Sequence, residues 1–357
     1  MTAPVMILAG GTGGHVFPGL AVADALRARG VPVVWLGGMQ GIEQTLVPAH
    51  GIELHRLPFG GVRGKGVGTL LAAPWRLLRA VALALRLMRN LAPSAVISFG
   101  GYAAAPGGIA AWLSRRPLLV HEANRVPGTT NRLLARFASR VLTGFPQTFG
   151  ARTEAEVTGN PVRPAIAAIA APEERMAGRQ QPLCLLVLGG SQGARSLNAG
   201  VPQAVAASTP NRWQVRHQSG RGNSSPVRAA YAAAGVDADV TEFIDDMAAA
   251  YAWADLAICR AGALTLAEIT AAGVPSILVP FPHAVDDHQT ANARFLADAD
   301  AAELIPENDE WVERLATALR ARLDDRAGLL ATARRARSLA RPDATARIAA
   351  LCLEYAA

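Results

Sequence analysis

The chain has 357 residues, of which 51% are hydrophobic and 18% charged. This composition excludes a disordered polyelectrolyte, and the length favours two folded domains over a single hydrophobic core. A formal net charge of +7 favours an acidic partner, and charge alone leaves nucleic acid, an anionic membrane surface and a phosphorylated substrate open.

The beginning of the chain predicts a short apolar strand that ends in glycines. It lacks the basic region and longer apolar stretch of a secretion signal, so we expect a cytosolic protein. Residues 90–114 carry no charge, but glycines and a proline interrupt them, which favours strand, loop and helix over a membrane span. Cys184, Cys259 and Cys352 lack CxxC spacing, so the sequence predicts neither a disulfide framework nor a zinc site.

Strand-like runs alternate with helical runs in both halves of the chain, which indicates parallel sheets with crossover helices. The runs are VMILAGG, VPVVWLGG, AVISFGG, PLLVHEAN and SRVLTGF in the first half, and LCLLVLGGSQGA, WQVRHQSG, DVTEFI, LAICRAGA and PSILVPF in the second. Two prolines in segment 159–164 interrupt helix and sheet, so we place the domain linker there. Residues 325–357 predict two helices split by Pro342, which we expect to lie on the surface.

A glycine-rich turn at 10–14 follows the first strand and opens the first helix. Glycines let a phosphate approach the backbone closely, and a helix start offers unpaired N–H groups. A tight turn without a ligand is about as common in this fold class. His15 follows at the helix start, where an imidazole accepts a proton near neutral pH, so it is our candidate general base. A capping or packing role for His15 is the alternative.

Residues 68–91 predict a helix that Pro74 starts at its first turn. Four arginines and Trp75 share one arc of its surface, while Leu, Val, Met and Ala form the other faces. The apolar side is expected to dock on the domain and the basic side to meet anionic headgroups. An ordinary solvated arginine face is the alternative. The arginines are Arg76, Arg79, Arg86 and Arg89.

Two further strand ends in the first half carry candidate ligand-binding groups. One is another glycine turn at 100–101, and the other carries His121, Glu122 and Asn124. The carboxyl ends of parallel strands meet at one edge of a sheet, where ligands of open α/β sheets bind. We expect these groups to face a cleft, with Asn124 holding sugar hydroxyls. The alternative is a His–Glu pair that only orders its loop.

The second half opens like the first, with a glycine turn at 189–193 after an apolar strand. Two similar doubly wound domains are therefore favoured over one large sheet. Neither turn has the GxxxxGK[ST] of a P-loop, and the first lacks the GxGxxG spacing of a dinucleotide-binding fingerprint. ATPase and dehydrogenase activities are disfavoured accordingly.

Segment 260–268 joins the strand LAIC to a new helix and is the most informative segment of the chain. Small residues bare the helix start, so we expect a pyrophosphate on its N–H groups, those of Ala263, Leu264, Thr265 and Leu266. Glu268, about one turn further, is placed to accept two ribose hydroxyls. A capping-box glutamate is the alternative.

A polar cluster follows at His283, Asp286, Asp287, His288 and Gln289. It has the residue types of a metal site, but no second ligand cluster accompanies it, so we predict no metal.

These motifs together resemble the MurG family of glycosyltransferases over nearly the whole chain. The matching segments are GGTGGHVFP at 10–18, FGGYAAAPGG at 99–108, HEAN at 121–124, GNPVR at 159–163, GGSQGA at 189–194, EFIDDMAAAYAWADLAICRAGALTLAEI at 242–269 and DDHQTANA at 286–293. The resemblance implies transfer of N-acetylglucosamine from UDP-N-acetylglucosamine (UDP-GlcNAc) to undecaprenyl-pyrophosphoryl-N-acetylmuramoyl-pentapeptide. The product is lipid II, a precursor of peptidoglycan.

The resemblance also implies the α/β fold called GT-B, with two Rossmann-like doubly wound parallel-sheet domains and a cleft between them. An N-terminal acceptor and membrane-associating domain is expected at 1–160, with a last helix at 343–357 packing back on it. A UDP-GlcNAc-binding domain is expected at 161–342. The implied reaction is inverting and uses no metal or other cofactor.

Donor contacts are carried over residue by residue from the family motifs. They are Thr12, Gly13 and Gly14 with the phosphates and sugar, Asn124 and Gln289 with the sugar, Arg163 and Ser191 with the nucleotide, Ile244 with uracil through its backbone, Ala263, Leu264, Thr265 and Leu266 with the pyrophosphate, and Glu268 with the ribose. In the expected mechanism His15 removes the proton of the muramoyl C4 hydroxyl as that oxygen attacks the anomeric carbon.

The resemblance gives the basic helix a role at the membrane. With Trp112, Arg115 and Arg116 it implies a patch on the cytoplasmic face of the bacterial inner membrane, where the lipid acceptor of a peripheral enzyme is anchored. Proteins of cell-wall synthesis and division are expected partners. Nucleic acid is not, since no aromatic-basic motif of a nucleic-acid module is visible.

Two kinds of alternative function stay open on the sequence. Another GT-B enzyme, such as a diacylglycerol glycosyltransferase or a UDP-GlcNAc 2-epimerase, shares the donor and the fold. A binding protein without catalysis, for a nucleotide sugar or a nucleic acid, is the non-enzymatic alternative. Turnover of UDP-GlcNAc without an acceptor distinguishes the epimerase.

Overall fold

A computed structural model describes residues 3–60, 67–151, 153–190 and 192–355, with only the backbone described at 67–71. The described chain divides into two compact units, Met1–Val162 with Arg341–Ala357, and Arg163–Ala340. The first boundary lies between Pro161 and Pro164, where the missing proline N–H groups interrupt regular backbone pairing.

The sheet of the first unit consists of parallel strands. They are β1 (Val5–Ala9), β2 (Val33–Gly37), β3 (Glu53–Arg56), β4 (Ala95–Gly100), β5 (Leu118–Glu122), β6 (Arg140–Thr143) and β7 (Glu156–Val157). Their order across the sheet is β3-β2-β1-β4-β5-β6-β7. In this register Ile7 of β1 lies opposite both Trp35 of β2 and Ile97 of β4.

Helices cover both faces of this sheet. They are α1 (Gly13–Arg27), α2 (Glu43–Ala49), α3 (Val67–Leu91), α4 (Ala104–Leu113) and α5 (Thr129–Leu134). Successive side chains of a strand point to opposite faces. Val5 and Ile7 therefore pack into the layer of α1, whereas Met6 and Leu8 pack into the layer of α3 and α4. Burial on both faces explains why the strand is apolar throughout.

Helix α3 begins at Val67, so Pro74 lies inside it. The expectation that Pro74 starts this helix is wrong. The backbone ahead of the proline is already helical, and the ring removes only one N–H from the helical ladder. Ala80, Ala84 and Met88 are buried and recur every four residues, which docks the C-terminal half of α3 on the sheet.

The second unit has a sheet of the same design. Its parallel strands are β8 (Leu183–Leu188), β9 (Trp213–Gln218), β10 (Ala238–Thr241), β11 (Leu256–Cys259), β12 (Ser276–Leu278) and β13 (Glu303–Leu304). Their order is β10-β9-β8-β11-β12-β13. The helices of this unit are α6 (Pro164–Ala167), α7 (Pro172–Arg175), α8 (Arg195–Ala207), α9 (Ser224–Ala233), α10 (Met247–Trp253), α11 (Ala263–Ala272), α12 (His288–Ala297), α13 (Trp311–Arg322) and α14 (Arg326–Ser338).

Each sheet reverses its winding beside its first strand. β1 lies between β2 and β4, and β8 lies between β9 and β11. Loops that leave the carboxyl ends of the strands diverge at such a switch point and leave a crevice in which ligands of doubly wound folds bind. The predicted class, two Rossmann-like doubly wound parallel-sheet domains, is confirmed.

The chain ends in α15 (Ala344–Leu353), which belongs to the first unit. Ile348, Ala349 and Cys352 are completely buried, and the helix packs against α1. The expectation that residues 325–357 lie on the surface is therefore wrong for α15, because its apolar side forms part of the core.

Candidate functional site

Two glycine turns meet at the switch point of the first sheet. β1 and β4 are neighbours, so the turn after Ala9 lies beside the turn after Gly100. At Gly101 φ is +92°, and a Cβ there would lie 2.3 Å from the carbonyl oxygen of Gly10, so only glycine fits. The turns thus meet backbone to backbone at the edge of the sheet where a ligand is expected.

The start of α1 offers open amides beside these turns. The carbonyl of Thr12 accepts the N–H groups of His15 at 3.1 Å and Val16 at 3.2 Å. The amides of Gly13 and Gly14 precede these bonds and have no carbonyl to reach within the helix. A Cβ at Gly14 would meet nothing closer than Thr12 Oγ1 at 3.8 Å, so the protein's own packing does not require glycine there. Space beside two open amides suits a phosphate or a sugar.

His15, the candidate base, is half-buried beside this turn. Its Nδ1 lies 3.2 Å from the carbonyl oxygen of Gly10. A carbonyl only accepts, so in a neutral ring this contact places the hydrogen on Nδ1 and leaves the lone pair on Nε2. A Cβ on Gly100 would lie 3.1 Å from Nε2, so glycine keeps the space beside that lone pair open. A general base requires this orientation.

The polar residues at the end of β5 and in the loop after it are not gathered at one surface. His121 is completely buried, its Nε2 lies 3.0 Å from the carbonyl oxygen of Gly159, and burial lowers its pKa. The expectation that His121 faces a cleft is wrong, because β5 directs it into the core. Glu122 accepts the amides of Asn124 and Gly128, both at 3.0 Å, and so orders the loop that presents Asn124. Glu122 therefore fits the alternative in which it orders its own loop.

In the second unit, helix α11 presents its N-terminus after β11. Gly262 precedes the helix, and its carbonyl accepts the N–H of Leu266 at 3.0 Å. The amide of Leu266 is thus already used, so the expectation that it holds a pyrophosphate needs correction. Helix geometry leaves the amides of Ala263, Leu264 and Thr265 open at this end.

Glu268 lies one turn further along α11, and its side chain is 17% exposed. Arg163 binds its Oε1 through Nε at 3.0 Å and Nη2 at 2.9 Å, and the hydroxyl of Tyr251 donates to its Oε2 at 3.1 Å. Burial raises the pKa of Glu268, while Arg163 and Tyr251 lower it. A capping-box glutamate occupies the third helical position, which here is Thr265, so that alternative does not apply.

The sequence patterns predict no role for Tyr251. It is completely buried on α10, and burial followed by the charge of Glu268 raises its pKa, so its hydroxyl stays a donor. Arg179 anchors the end of this helix by donating to the carbonyls of Ala252 and Trp253, both at 2.6 Å. The available signal was a phenol in an otherwise apolar helix, since a buried tyrosine hydroxyl usually has a partner.

The other predicted donor contacts of the second unit are Gln289, in the first turn of α12, Ile244 and Ser191. The Oε1 of Gln289 accepts the amides of Phe281 at 3.0 Å and Ala261 at 3.3 Å, which turns its Nε2 away from this backbone. Ile244 is half-buried in the segment between β10 and α10. Ser191 lies outside the described residues.

The polar cluster 283–289 comprises the turn ahead of α12 and the first two residues of that helix. Asp286 and Asp287 adopt positive φ angles of 53° and 50°, and Nδ1 of His288 lies 2.7 Å from the carbonyl oxygen of Val285. Across the described ranges of the chain, no three His, Cys, Asp or Glu side chains come together to hold a metal ion.

The predicted membrane patch lies on α3 and α4, which pack against each other. Trp75 is 77% exposed and Trp112 49% exposed. Arg116 is half-buried, and the other predicted patch arginines are exposed, namely Arg76, Arg79, Arg86, Arg89 and Arg115. None of the helices in the described part of the chain is long and apolar enough to cross a bilayer.

Charge is divided unequally between the two units. The first contains 18 Lys and Arg against 8 Asp and Glu, and the second 17 against 20. Residues 54–121, which include α3 and α4, contain nine Lys and Arg and neither Asp nor Glu. The net positive charge of the chain therefore lies in the first unit. Segment 54–121 contributes to it with basic residues only.

Family models, curated relatives and a solved structure all match this chain over most or nearly all of its length. Models of the N-terminal and C-terminal domains of glycosyltransferase family 28 match residues 5–143 and 184–348. A curated protein of Xanthomonas oryzae pv. oryzae, named UDP-N-acetylglucosamine–N-acetylmuramyl-(pentapeptide) pyrophosphoryl-undecaprenol N-acetylglucosamine transferase, is 58% identical over 353 residues, which cover 99% of this chain and 79% of that protein. A protein of the same name from Alkalilimnicola ehrlichii is 55% identical over the full length of both chains. The crystal structure of Acinetobacter baumannii MurG matches with a TM-score of 0.88 at 41% identity, covering 98% of this chain and 99% of that one.

Proposed function

This chain belongs to glycosyltransferase family 28 and, within it, to the MurG transferases, and we propose that its two units carry the acceptor and the donor of the MurG reaction. The enzyme transfers N-acetylglucosamine from UDP-GlcNAc to undecaprenyl-pyrophosphoryl-N-acetylmuramoyl-pentapeptide and so forms lipid II. Its fold is GT-B. The named relatives favour this activity over a diacylglycerol glycosyltransferase or an epimerase.

The donor is held by α11 in this proposal. Its diphosphate lies on the amides of Ala263, Leu264 and Thr265, where the helix start carries partial positive charge. Glu268 accepts the two ribose hydroxyls. The observation that carries the assignment is a bare helix start followed one turn later by a nearly buried, preoriented carboxylate. A nucleoside diphosphate presents a diphosphate and a diol to match this pair.

The remaining donor contacts follow the family assignment. Arg163 and Ser191 lie on the nucleotide, and the backbone of Ile244 reads uracil. The sugar meets Gln289, whose Nε2 is aimed by the two backbone bonds to Oε1, and Asn124. These side chains give specificity, while the helix start supplies most of the anion binding.

Chemistry in the first unit depends on His15. Its Nε2 takes the proton of the muramoyl C4 hydroxyl as that oxygen attacks the anomeric carbon, and the bond from this carbon to UDP breaks with inversion. Thr12, Gly13 and Gly14 border the phosphates and sugar at the start of α1. Fixed amides of α11 stabilise the charge that develops on UDP, and each well-placed donor of this kind contributes about 3 kcal/mol in comparable sites.

Transfer of labelled N-acetylglucosamine from UDP-GlcNAc to a lipid-linked muramoyl-pentapeptide in detergent micelles tests the proposal. One labelled lipid is expected for each UDP released, with a β linkage. His15→Ala is expected to lower kcat by about 10²–10⁴-fold, the usual contribution of a general base. Turnover of UDP-GlcNAc without an acceptor would instead indicate the epimerase, and labelled diacylglycerol the other transferase.

The location that fits this reaction is the cytoplasmic face of the inner membrane, with peripheral association through α3 and α4. Trp75 and Trp112 are exposed, as membrane-interface tryptophans are. The acid-free segment 54–121 suits an anionic leaflet, where each Lys or Arg contributes about 1 kcal/mol. Proteins of cell-wall synthesis and division stay predicted partners.

A further inference from the structure

Glu43 is a buried charged residue to which the proposed reaction gives no role. It is the first residue of α2, and its side chain is 0% exposed. A carboxylate taken out of water costs several kcal/mol unless hydrogen-bond donors replace the lost hydration. The groups around Glu43 must therefore be arranged to hold it.

The amides of two glycine turns hold this carboxylate. Oε2 accepts the N–H of Gly11 at 2.9 Å, and Oε1 accepts the N–H of Gly38 at 3.2 Å. A Cβ on Gly10 would lie 2.7 Å from Oε1, so the carboxylate presses directly on the turn after β1. The carboxylate of Glu43 therefore lies against this turn, and the N–H of Gly11 donates to it and not to a ligand.

The same turn contacts His15 on its other side. Nδ1 of His15 lies 3.2 Å from the carbonyl oxygen of Gly10, and that carbonyl belongs to the same peptide unit as the N–H of Gly11. A trans peptide points its C=O and N–H in opposite directions within one rigid plane. The Gly10–Gly11 peptide therefore bridges the carboxylate of Glu43 and the imidazole of His15, with one hydrogen bond to each.

We propose that Glu43 is a positioning residue for the transfer, acting on His15 through the Gly10–Gly11 peptide; the inference rests on the base role proposed for His15. The negative charge polarises the peptide and makes the Gly10 carbonyl a stronger acceptor for the Nδ1 hydrogen. That hydrogen stays on Nδ1, and the Nε2 lone pair stays available for the acceptor hydroxyl.

The chain of contacts from Glu43 through the Gly10–Gly11 peptide to His15, called the relay below, also acts as the proton moves. When Nε2 takes the hydroxyl proton, the polarised carbonyl of Gly10 stabilises the imidazolium. The new glycosidic C–O bond forms in the same step, and UDP leaves with the electron pair of the old bond. In a Ser-His-Asp triad the carboxylate orients the imidazole directly. Here one peptide unit stands between the two groups.

Glu43→Gln is the kinetic test, because glutamine keeps the volume and one acceptor oxygen but removes the charge. We expect kcat to fall about tenfold, or about 1.4 kcal/mol. The KM for UDP-GlcNAc is expected to change much less than kcat, because the amides of α11 and Glu268, which supply most of the proposed donor binding, lie in the second unit. In a His15→Ala background the substitution is expected to cause no further loss, since the residue it acts through is gone. An unchanged kcat in Glu43→Gln, or an equal loss in both backgrounds, overturns the proposal.

Trp35→Phe is the matched control for general loosening of the first unit. Trp35 is completely buried, and its Nε1 donates to the carbonyl of Ala9 at 2.8 Å, next to the same turn but outside the relay. This variant is expected to lower Tm and to have the same effect on kcat with and without His15. If Glu43→Gln, like Trp35→Phe, lowers kcat equally with and without His15, this result counts against the relay.

The tautomer of His15 tests the geometry without turnover. ¹⁵N spectra of wild-type protein labelled at its seven histidines, assigned with His15→Gln, are expected to show His15 protonated at Nδ1. Glu43→Gln is expected to show a mixture of tautomers. A wild-type His15 protonated at Nε2 overturns the relay even in an active transferase, and it decides the matter where Glu43→Gln does not fold. A protein with the Nδ1 tautomer that transfers no sugar instead contradicts the proposed function.

Discussion

The hydroxyl of Tyr251 donates a hydrogen bond to Oε2 of Glu268 at 3.1 Å and joins α10 to α11. Arg163 binds the other carboxylate oxygen. The carboxylate is therefore aimed before a nucleotide arrives, and a preorganised group loses less conformational freedom on binding. This arrangement makes Tyr251 a positioning residue of the proposed donor site.

Tyr251→Phe is expected to raise the KM for UDP-GlcNAc and to change kcat much less. The lost hydrogen bond contributes about 1 kcal/mol, which corresponds to a roughly fivefold rise in KM. A donor without the ribose 2′-hydroxyl is expected to bind with a smaller relative penalty in the variant, because Glu268 is no longer aimed at the diol. Tyr231→Phe is the matched control, since it removes the same atom from a buried tyrosine that meets His217. Equal changes of KM in the two variants would contradict the assignment.

The KM for UDP-GlcNAc is expected to rise as the pH falls, and Arg163→Met to move that rise to higher pH. Burial raises the pKa of Glu268, while the charge of Arg163 lowers it. A protonated carboxyl is a weaker acceptor for the ribose hydroxyls, so donor affinity is lost as the pH falls through this pKa. Without Arg163 the pKa of Glu268 is higher still, so the loss of donor affinity begins at a higher pH. Profiles of kcat/KM against pH measure the shift, with Arg314→Met on the exposed side of α13 as control. Coincident acid limbs for the two variants would exclude this role for Arg163.

The sequence predicts strands that are buried on both faces better than strands at an edge. β1, β4, β8 and β11 lie inside their sheets, and such strands form continuous apolar runs. β3, with the sequence ELHR, pairs on one side only and exposes Glu53 and Arg56, so its polar pattern resembles a loop. β7 and β13 are two residues long, too short for any periodicity.

The loops of the candidate site follow from the sequence, but the hydrogen bonds within them do not. The open amide predicted for Leu266 differs from the structure because the first residue of a helix cannot be placed to within one position from sequence. The predicted exposure of His121 differs from its burial in the structure because strand alternation does not say which face another layer covers. The relation of Tyr251 to Glu268, and of Glu43 to Gly11, depends on tertiary contacts between separate elements.

Gly14→Ala and Gly101→Ala are expected to separate ligand binding from folding. Gly14 lies in the first turn of α1 with open space at its Cβ position, so alanine is expected to raise the free energy of unfolding by about 0.5–1 kcal/mol while blocking a ligand and lowering kcat/KM. Gly101→Ala is expected to lower Tm as well as activity, because the new Cβ meets the Gly10 carbonyl at positive φ. Thermal unfolding and transfer assays on both variants measure this. A fully active Gly14→Ala would remove that glycine from the ligand site.

The stability of the second unit is expected to fall as the pH drops below about 6.5, through His217. Nε2 of His217 lies 3.0 Å from Oδ1 of Asn198, and Nδ1 lies 3.0 Å from the hydroxyl of Tyr231, an arrangement that suits a neutral ring with one donor and one acceptor. Burial lowers the pKa of His217 to about 4.

Between these pH values the unfolded chain binds a proton that the folded chain does not. As the pH falls through this range, His217 therefore lowers the free energy of unfolding by up to about 1.4 kcal/mol per pH unit. His217→Gln keeps a donor and an acceptor but does not titrate, so its stability is expected to depend less on pH over the same window. Urea denaturation of both proteins at several pH values measures the difference. Parallel plots of unfolding free energy against pH would show that His217 does not contribute.

Arg76→Gln combined with Arg79→Gln is expected to weaken binding to vesicles that contain anionic lipid. Each arginine near such a surface contributes about 1 kcal/mol, so the pair corresponds to a roughly thirtyfold loss of affinity at low salt. The matched control is Arg221→Gln combined with Arg314→Gln, which removes the same charge from exposed positions of the second unit. Co-sedimentation with vesicles at increasing salt measures the effect.

Trp75→Ala is expected to separate the apolar part of the proposed membrane contact from the electrostatic part. Trp75 is 77% exposed on α3, so its removal costs the fold little, while the loss of an aromatic ring from the interface weakens vesicle binding at every salt concentration. The arginine variant, in contrast, is expected to approach wild-type binding at high salt, because screening removes what the arginines contribute. Transfer to an acceptor in vesicles is expected to slow in both variants, and transfer to a short-chain acceptor in solution to stay unchanged. Equal vesicle binding by the wild type, the arginine variant and its control would mean that another surface meets the membrane.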